Sequence, residues 1–105
     1  MNATINPTAV ALKAVNAAEC VELEQLPNIG RSLAASLRLA GIMQPADLRG
    51  NDAFVLYRKL CAVTCQRHDP CVLDTFMAAV DFMDGAPAAP WWHYTSKRKA
   101  LFGTV

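Results

Sequence analysis

No apolar run in this 105-residue chain is long enough to cross a bilayer, because charges interrupt every one of them, so no transmembrane helix is expected. The opening MNATINPTAV lacks a basic stretch followed by an apolar one, which argues against a signal peptide. No low-complexity tract suggests disorder. No stretch alternates apolar and polar residues convincingly, so no β-sheet is expected. An excess of one charge is also missing: Lys and Arg number 10 against 9 Asp and Glu, leaving a net charge of +1. A strongly basic nucleic-acid binder carries a larger surplus, so any such contact must be local and weak. Catalytic spacing is absent too. Asp74, Asp81 and Asp84 fall along one helix face rather than converging, and no nucleophile–base pair is visible, so an enzyme is not expected.

What is present is an alanine- and leucine-rich chain that is 53% hydrophobic. That length supports one compact domain, residues 1–105, with a modest core. A cytoplasmic location is the default expectation, with the four cysteines as thiols or ligands rather than disulfides. The small net charge hides a segregation: residues 1–25 and 67–85 are acidic overall, whereas residues 26–66 and 86–105 are each basic.

The helix signals are frequent. Asn6-Pro7 reads as a cap with a first-turn proline for a helix to about Ala18. A short helix from about Glu19 to Gln25 follows, with Val21 and Leu23 inward and Pro27 ending it. A third starts after Gly30, carries Leu33, Ala34 and Leu37 on one face, and stops at Gly41. Pro45-Ala-Asp-Leu gives one helical turn. Asn51 or Asp52 caps the next helix, with Phe54, Tyr57 and Cys61 on a stripe that Leu56, Leu60 and Val63 widen. Asp69-Pro70 starts another, with Val72, Leu73, Phe76, Val80 and Met83 on the apolar face and Asp74 and Asp81 opposite. APAAP is a linker, and Thr95 caps a last helix through Ala100. The expectation is an all-α protein of six or seven mostly short helices.

Three segments carry chemistry. In LPNIGRSLAASLRLAGI, within a hairpin spanning residues 20–42, Gly30 precedes a helix N-terminus, where free N–H groups and the helix dipole attract anions. Arg31 and Ser32 sit in the first turn, and Arg31, Ala35 and Arg38 share a face. In CAVTCQRHDPC, the residues Cys61, Cys65, His68 and Cys71 are close enough for a conceivable tetrahedral zinc site. Core packing and a redox pair are the alternatives. The C-terminal segment, 86–105, sets Trp91, Trp92, His93 and Tyr94 beside Lys97, Arg98 and Lys99. Rings next to cations suit single-stranded nucleic acid, while one or both tryptophans packing onto the bundle is the structural alternative. The KRK run is either solvated surface or an addition to a phosphate-binding face.

Leu26, Pro27, Ile29, Gly30, Ala34, Leu37, Gly41 and Ile42 together resemble a helix-hairpin-helix motif, whose usual core reads Leu-Pro-Gly-Ile-Gly. The hairpin is also similar to the C-terminal domain of the TfoX competence regulators. With DLRG (47–50), LY (56–57), LC (60–61), RHDPCVLD (67–74) and PWWHYT (90–95), the chain resembles a small bacterial helix-hairpin-helix family called "pathogenicity locus" or mitomycin resistance. The resemblance implies a SAM-like bundle and non-sequence-specific contact with the DNA backbone through Asn28, Ile29, Gly30, Arg31 and Ser32, with Arg38 adding positive field. It implies no cofactor and no membrane. The family usually has glycine at the positions of Asn28 and Cys65. A protein-interaction adaptor on the same fold, acting through a protein partner or as a homodimer, and a thiol- or zinc-dependent regulator are the other functional readings.

Overall fold

In a computed structural model, residues 12–103 and 105 are described. They form four α-helices, α1 (Arg31–Leu39), α2 (Ala53–Thr64), α3 (Pro70–Met83) and α4 (Thr95–Phe102). Four single 3₁₀ turns accompany them, at Ala17–Glu19, Leu23–Gln25, Pro45–Leu48 and Trp91–Tyr94, and no strand occurs among the described residues. The described residues are all-helical, as the sequence pattern implies.

Helix α3 is the axis of the core. The Asp69 carboxylate caps it by accepting from the Cys71 N–H at 2.9 Å, and Pro70 fills the first position, where its missing N–H costs nothing. Residues from Leu73 to Val80, with Phe82 and Met83, are all buried. The turn at Trp91–Tyr94, α2, the turn at Pro45–Leu48 and α4 pack around it. A helix covered on all sides is buried on its polar side as well. Asp74 therefore does not face solvent opposite an apolar stripe. It is fully buried, and its carboxylate accepts from Arg98 Nε at 2.8 Å and from the Thr95 hydroxyl at 2.8 Å.

Helix α2 begins at Asp52, whose carboxylate accepts from the Phe54 and Val55 N–H groups at 2.8 and 3.4 Å. It buries Leu56, Tyr57 and Leu60 on α3, while Val63 is exposed. It ends at Cys65, whose φ of 54° places it in the left-handed region. This is where helices favour glycine after their last turn. Asn28, at φ 68°, is the other non-glycine residue in that region among the described residues, and asparagine is among the side chains that tolerate it best.

The N-terminal expectation needs correction. The start of the helix expected over residues 7–18 lies outside the described residues; within them, residues 12–16 are not helical. The Ala14 N–H donates to the Gln25 carbonyl at 2.9 Å, and Lys13 also spends its ammonium on Leu23–Ile29 segment carbonyls. Tertiary hydrogen bonds thus replace helical ones, and only Ala17–Glu19 coils, capped by the Asn16 side chain at 3.0 Å. Val21 is exposed and only Leu23 of the expected pair is buried. The turn at Pro45–Leu48 is capped by the Asp47 carboxylate, which reaches back to accept from the N–H groups of Met43 and Gln44 at 3.0 and 3.2 Å.

Candidate nucleic-acid interface

Leu26 and Ile29 are wholly buried and anchor the turn before α1, each contributing roughly 1.5–3 kcal/mol. The Ile29 N–H donates to the Leu26 carbonyl at 3.2 Å, closing the turn that Asn28 permits. Two tertiary ties fix it. The Asn28 Nδ2 donates to the Ala89 carbonyl at 2.8 Å, fastening the start of the C-terminal segment to the turn before α1. On the other side, Lys13 Nζ donates to the carbonyls of Glu24, Leu26 and Ile29 at 2.9, 2.9 and 2.7 Å. Burial pulls the Lys13 ammonium below its ordinary pKa. Its charge is matched to the dipoles of three carbonyls in the segment leading to α1.

The sequence-derived site residues then separate. Ile29 is occupied on both counts, side chain in the core and N–H in the turn. The Asn28 side chain serves the Ala89 tie. Gly30, Arg31 and Ser32 are exposed at the start of α1. Gly30 makes no side-chain cap, has a negative φ of −97°, and a Cβ built on it would meet nothing within 4 Å. Its carbonyl accepts the first helical bond from Ala34 N–H at 2.9 Å. At the other end, Gly41 at φ 96° closes α1 with the Gly41 N–H on the Arg38 carbonyl and the Ile42 N–H on the Leu37 carbonyl, a Schellman arrangement. There a Cβ would come within 3.1 Å of Lys59 Nζ. The fold needs glycine at 41 and has no steric or conformational need for it at 30. Arg38, on the same face as Arg31, pairs with Glu24 at 3.4 Å across the surface, a contact of at most about 1 kcal/mol.

Of the KRK run, Lys97 and Lys99 are exposed, whereas Arg98 is buried against Asp74. Asp74 holds its guanidinium more firmly charged still. Arg98 is thus a structural cation, unavailable to a phosphate. Trp91 is half-buried, Trp92 is exposed, and Tyr94 is buried.

Among the described residues no three His, Cys, Asp or Glu side chains are grouped to hold a metal. The cysteine segment is occupied locally. Thr64 Oγ1 donates to the Leu60 carbonyl at 2.8 Å and lies 2.8 Å from His68 Nε2. The Tyr57 hydroxyl donates to the His68 carbonyl. Cys61 lies beside Tyr57, Cys65 is exposed at the end of α2, and the Cys71 thiol donates to Asp69, which pushes it up to about 11. The Lys13 ties and the Asp74–Arg98 pair are the features near these segments that sequence spacing missed. The first has no local signal, and the second had only the coincidence of a lone acid in a helix and a basic run near the C-terminus.

No solved structure matches the chain. The mitomycin resistance protein McrB of Streptomyces lavendulae is 50% identical over 80 residues, covering 76% of each chain. The family model described as "Pathogenicity locus" matches residues 16–100. The chain belongs to that family.

Proposed function

We propose that this chain is a non-sequence-specific DNA-binding or DNA-associated accessory module, in which residues 20–42 form a helix-hairpin-helix on a SAM-like bundle. Gly30 carries the reading. A glycine that the backbone does not need leaves the start of α1 open, and a phosphate can approach that backbone closely only where no side chain stands. The N–H groups of the first turn donate to the phosphate oxygens, the Ser32 hydroxyl adds a donor, and Arg31, Arg38 and Lys13 supply positive field. Because such contacts read the backbone alone, all sequences bind similarly. No helix among the described residues is long and apolar enough to cross a membrane.

Fluorescence anisotropy of labelled duplex DNA across a salt series tests the grip. For two or three phosphates, affinity should fall roughly 10- to 40-fold between 50 and 200 mM salt. Gly30→Glu should abolish binding while leaving the fold intact, since the added side chain enters open space and an acid at a helix N-terminus is stabilising. Absence of binding at low salt, or a Gly30→Glu protein that binds normally, refutes the grip. The exposed Leu39, Met43, Val55 and Val63 favour the adaptor reading in that event.

A further inference from the structure

Trp92 is the largest exposed apolar side chain of the described residues, with 63% of its surface in water. Leaving an indole there forfeits most of its burial free energy, and its position is not loose. The turn that carries it, Trp91–Tyr94, packs on α3 and is anchored by buried Tyr94. Trp91 meets Trp92 in a T-shaped contact with centroids 5.7 Å apart and planes at 86°. Its exposed chain neighbours are His93, Ser96 and Lys97 on one side and Pro87, Ala88 and Pro90 on the other, so polar and cationic groups flank the ring on its C-terminal side.

The turn is also near the hairpin. Asn28 Nδ2 holds the Ala89 carbonyl, so Trp92 is three residues from that tie, about 10 Å at full extension, and Gly30 is two residues from it, about 7 Å. A largely exposed indole and the backbone proposed to take a phosphate thus lie within the length of a few nucleotides, the scale of a single-strand binding site.

We propose that Trp92 is a stacking platform for an unpaired base, and that the preferred ligand is single-stranded DNA, or a duplex with an unpaired end, whose phosphate rests on the Gly30–Ser32 backbone. The inference rests on the hairpin grip: the grip reads phosphate, and Trp92 selects the unpaired strand. Every base has a π-face, so stacking adds affinity without adding sequence preference.

The test compares dT12, rU12 and a blunt 12-base-pair duplex against the wild-type chain, Trp92→Ala, Trp92→Phe and Gly30→Glu by anisotropy. The wild type should bind dT12 more tightly than the duplex or rU12, with its tryptophan fluorescence quenched. Trp92→Ala should weaken dT12 binding about 5- to 100-fold, the range for one stacked base, and leave the duplex unaffected. Trp92→Phe should retain most of the affinity. Unchanged dT12 affinity in Trp92→Ala, with binding still lost in Gly30→Glu, overturns the stacking site and spares the grip. Normal dT12 binding by Gly30→Glu overturns the grip instead. Equal or tighter binding of rU12 overturns the assignment to DNA.

Discussion

The buried pair between α3 and α4 permits a quantitative test. Asp74 is 0% exposed and the Arg98 side chain 10% exposed, with 2.8 Å between Nε and Oδ1. A second guanidinium nitrogen lies 3.4 Å from Oδ2, and the Thr95 hydroxyl satisfies that same oxygen at 2.8 Å. Asp74→Ala removes the acceptor of three hydrogen bonds and strands a guanidinium in the interior. Breaking one side of a buried pair costs about 3–5 kcal/mol, a large share of the about 5–15 kcal/mol that holds a domain folded. A 3 kcal/mol loss corresponds to a fall in melting temperature of about 12 °C or more. The damage should start at α4. Arg98 is that helix's single buried residue, and its other anchor is Phe102 stacked on Phe54 at 4.5 Å. Urea unfolding gives the global cost, and amide exchange in Thr95–Phe102 shows whether α4 leaves first. The cycle closes with Asp74→Leu/Arg98→Met, which should recover stability to within about 1 kcal/mol of the wild type or exceed it, because no charge is then desolvated. A single-mutant cost below about 1 kcal/mol, with α4 exchange unchanged, refutes the pair as the anchor.

Two further outcomes follow from local geometry. Cys65→Gly should stabilise the chain by up to about 1 kcal/mol, because a non-glycine residue at φ 54° is strained and the exposed thiol loses little packing; a lower urea midpoint would count against it. Stability should also fall as pH rises from about 9 to 12. Cys71 is pushed up to about 11 from 9.0, first by its hydrogen bond to Asp69, and Tyr94 to about 12 from 10.0, by burial and its bond to Asp81. In that window the unfolded chain releases protons the folded one keeps, which favours unfolding, so equal urea midpoints at pH 8 and 10.5 would contradict the assignment.

The elements most legible in the sequence are those decided within a few residues. Asp52 and Asp69-Pro70 cap their helices where their types predict, and Asn28 takes the positive φ that its substitution for glycine demands. Where long-range contacts decide, local pattern misleads. The heptad-like face of α3 is real, but Thr75, Ala78 and Ala79 on its flanks are buried as well. Small residues there let neighbouring turns close over the side that periodicity assigns to solvent. Asp74 goes inside with them, and the only way to satisfy it is a cation from another helix, which draws Arg98 out of the basic run. The stretch around Lys13 scores as helix because its composition is helical; its actual conformation is set by carbonyls more than ten residues away.

Those carbonyls bear on the proposed role of the turn before α1. A plain connector between helices needs only Leu26 and Ile29 in the core and a residue tolerant of positive φ between them. This turn has in addition an ammonium on three of its own segment's carbonyls and an asparagine amide on the C-terminal segment. Both ties lie on groups that a phosphate would not use, since anions seek N–H donors rather than carbonyls. They hold the turn from two sides while leaving the Gly30–Ser32 end exposed. A binding turn gains from being held in one geometry before its ligand arrives, because less conformational freedom is lost on association. Lys13 and Asn28 would serve the proposed grip in that way, and the Asn28 tie fixes Ala89, two residues before the Trp91–Tyr94 turn.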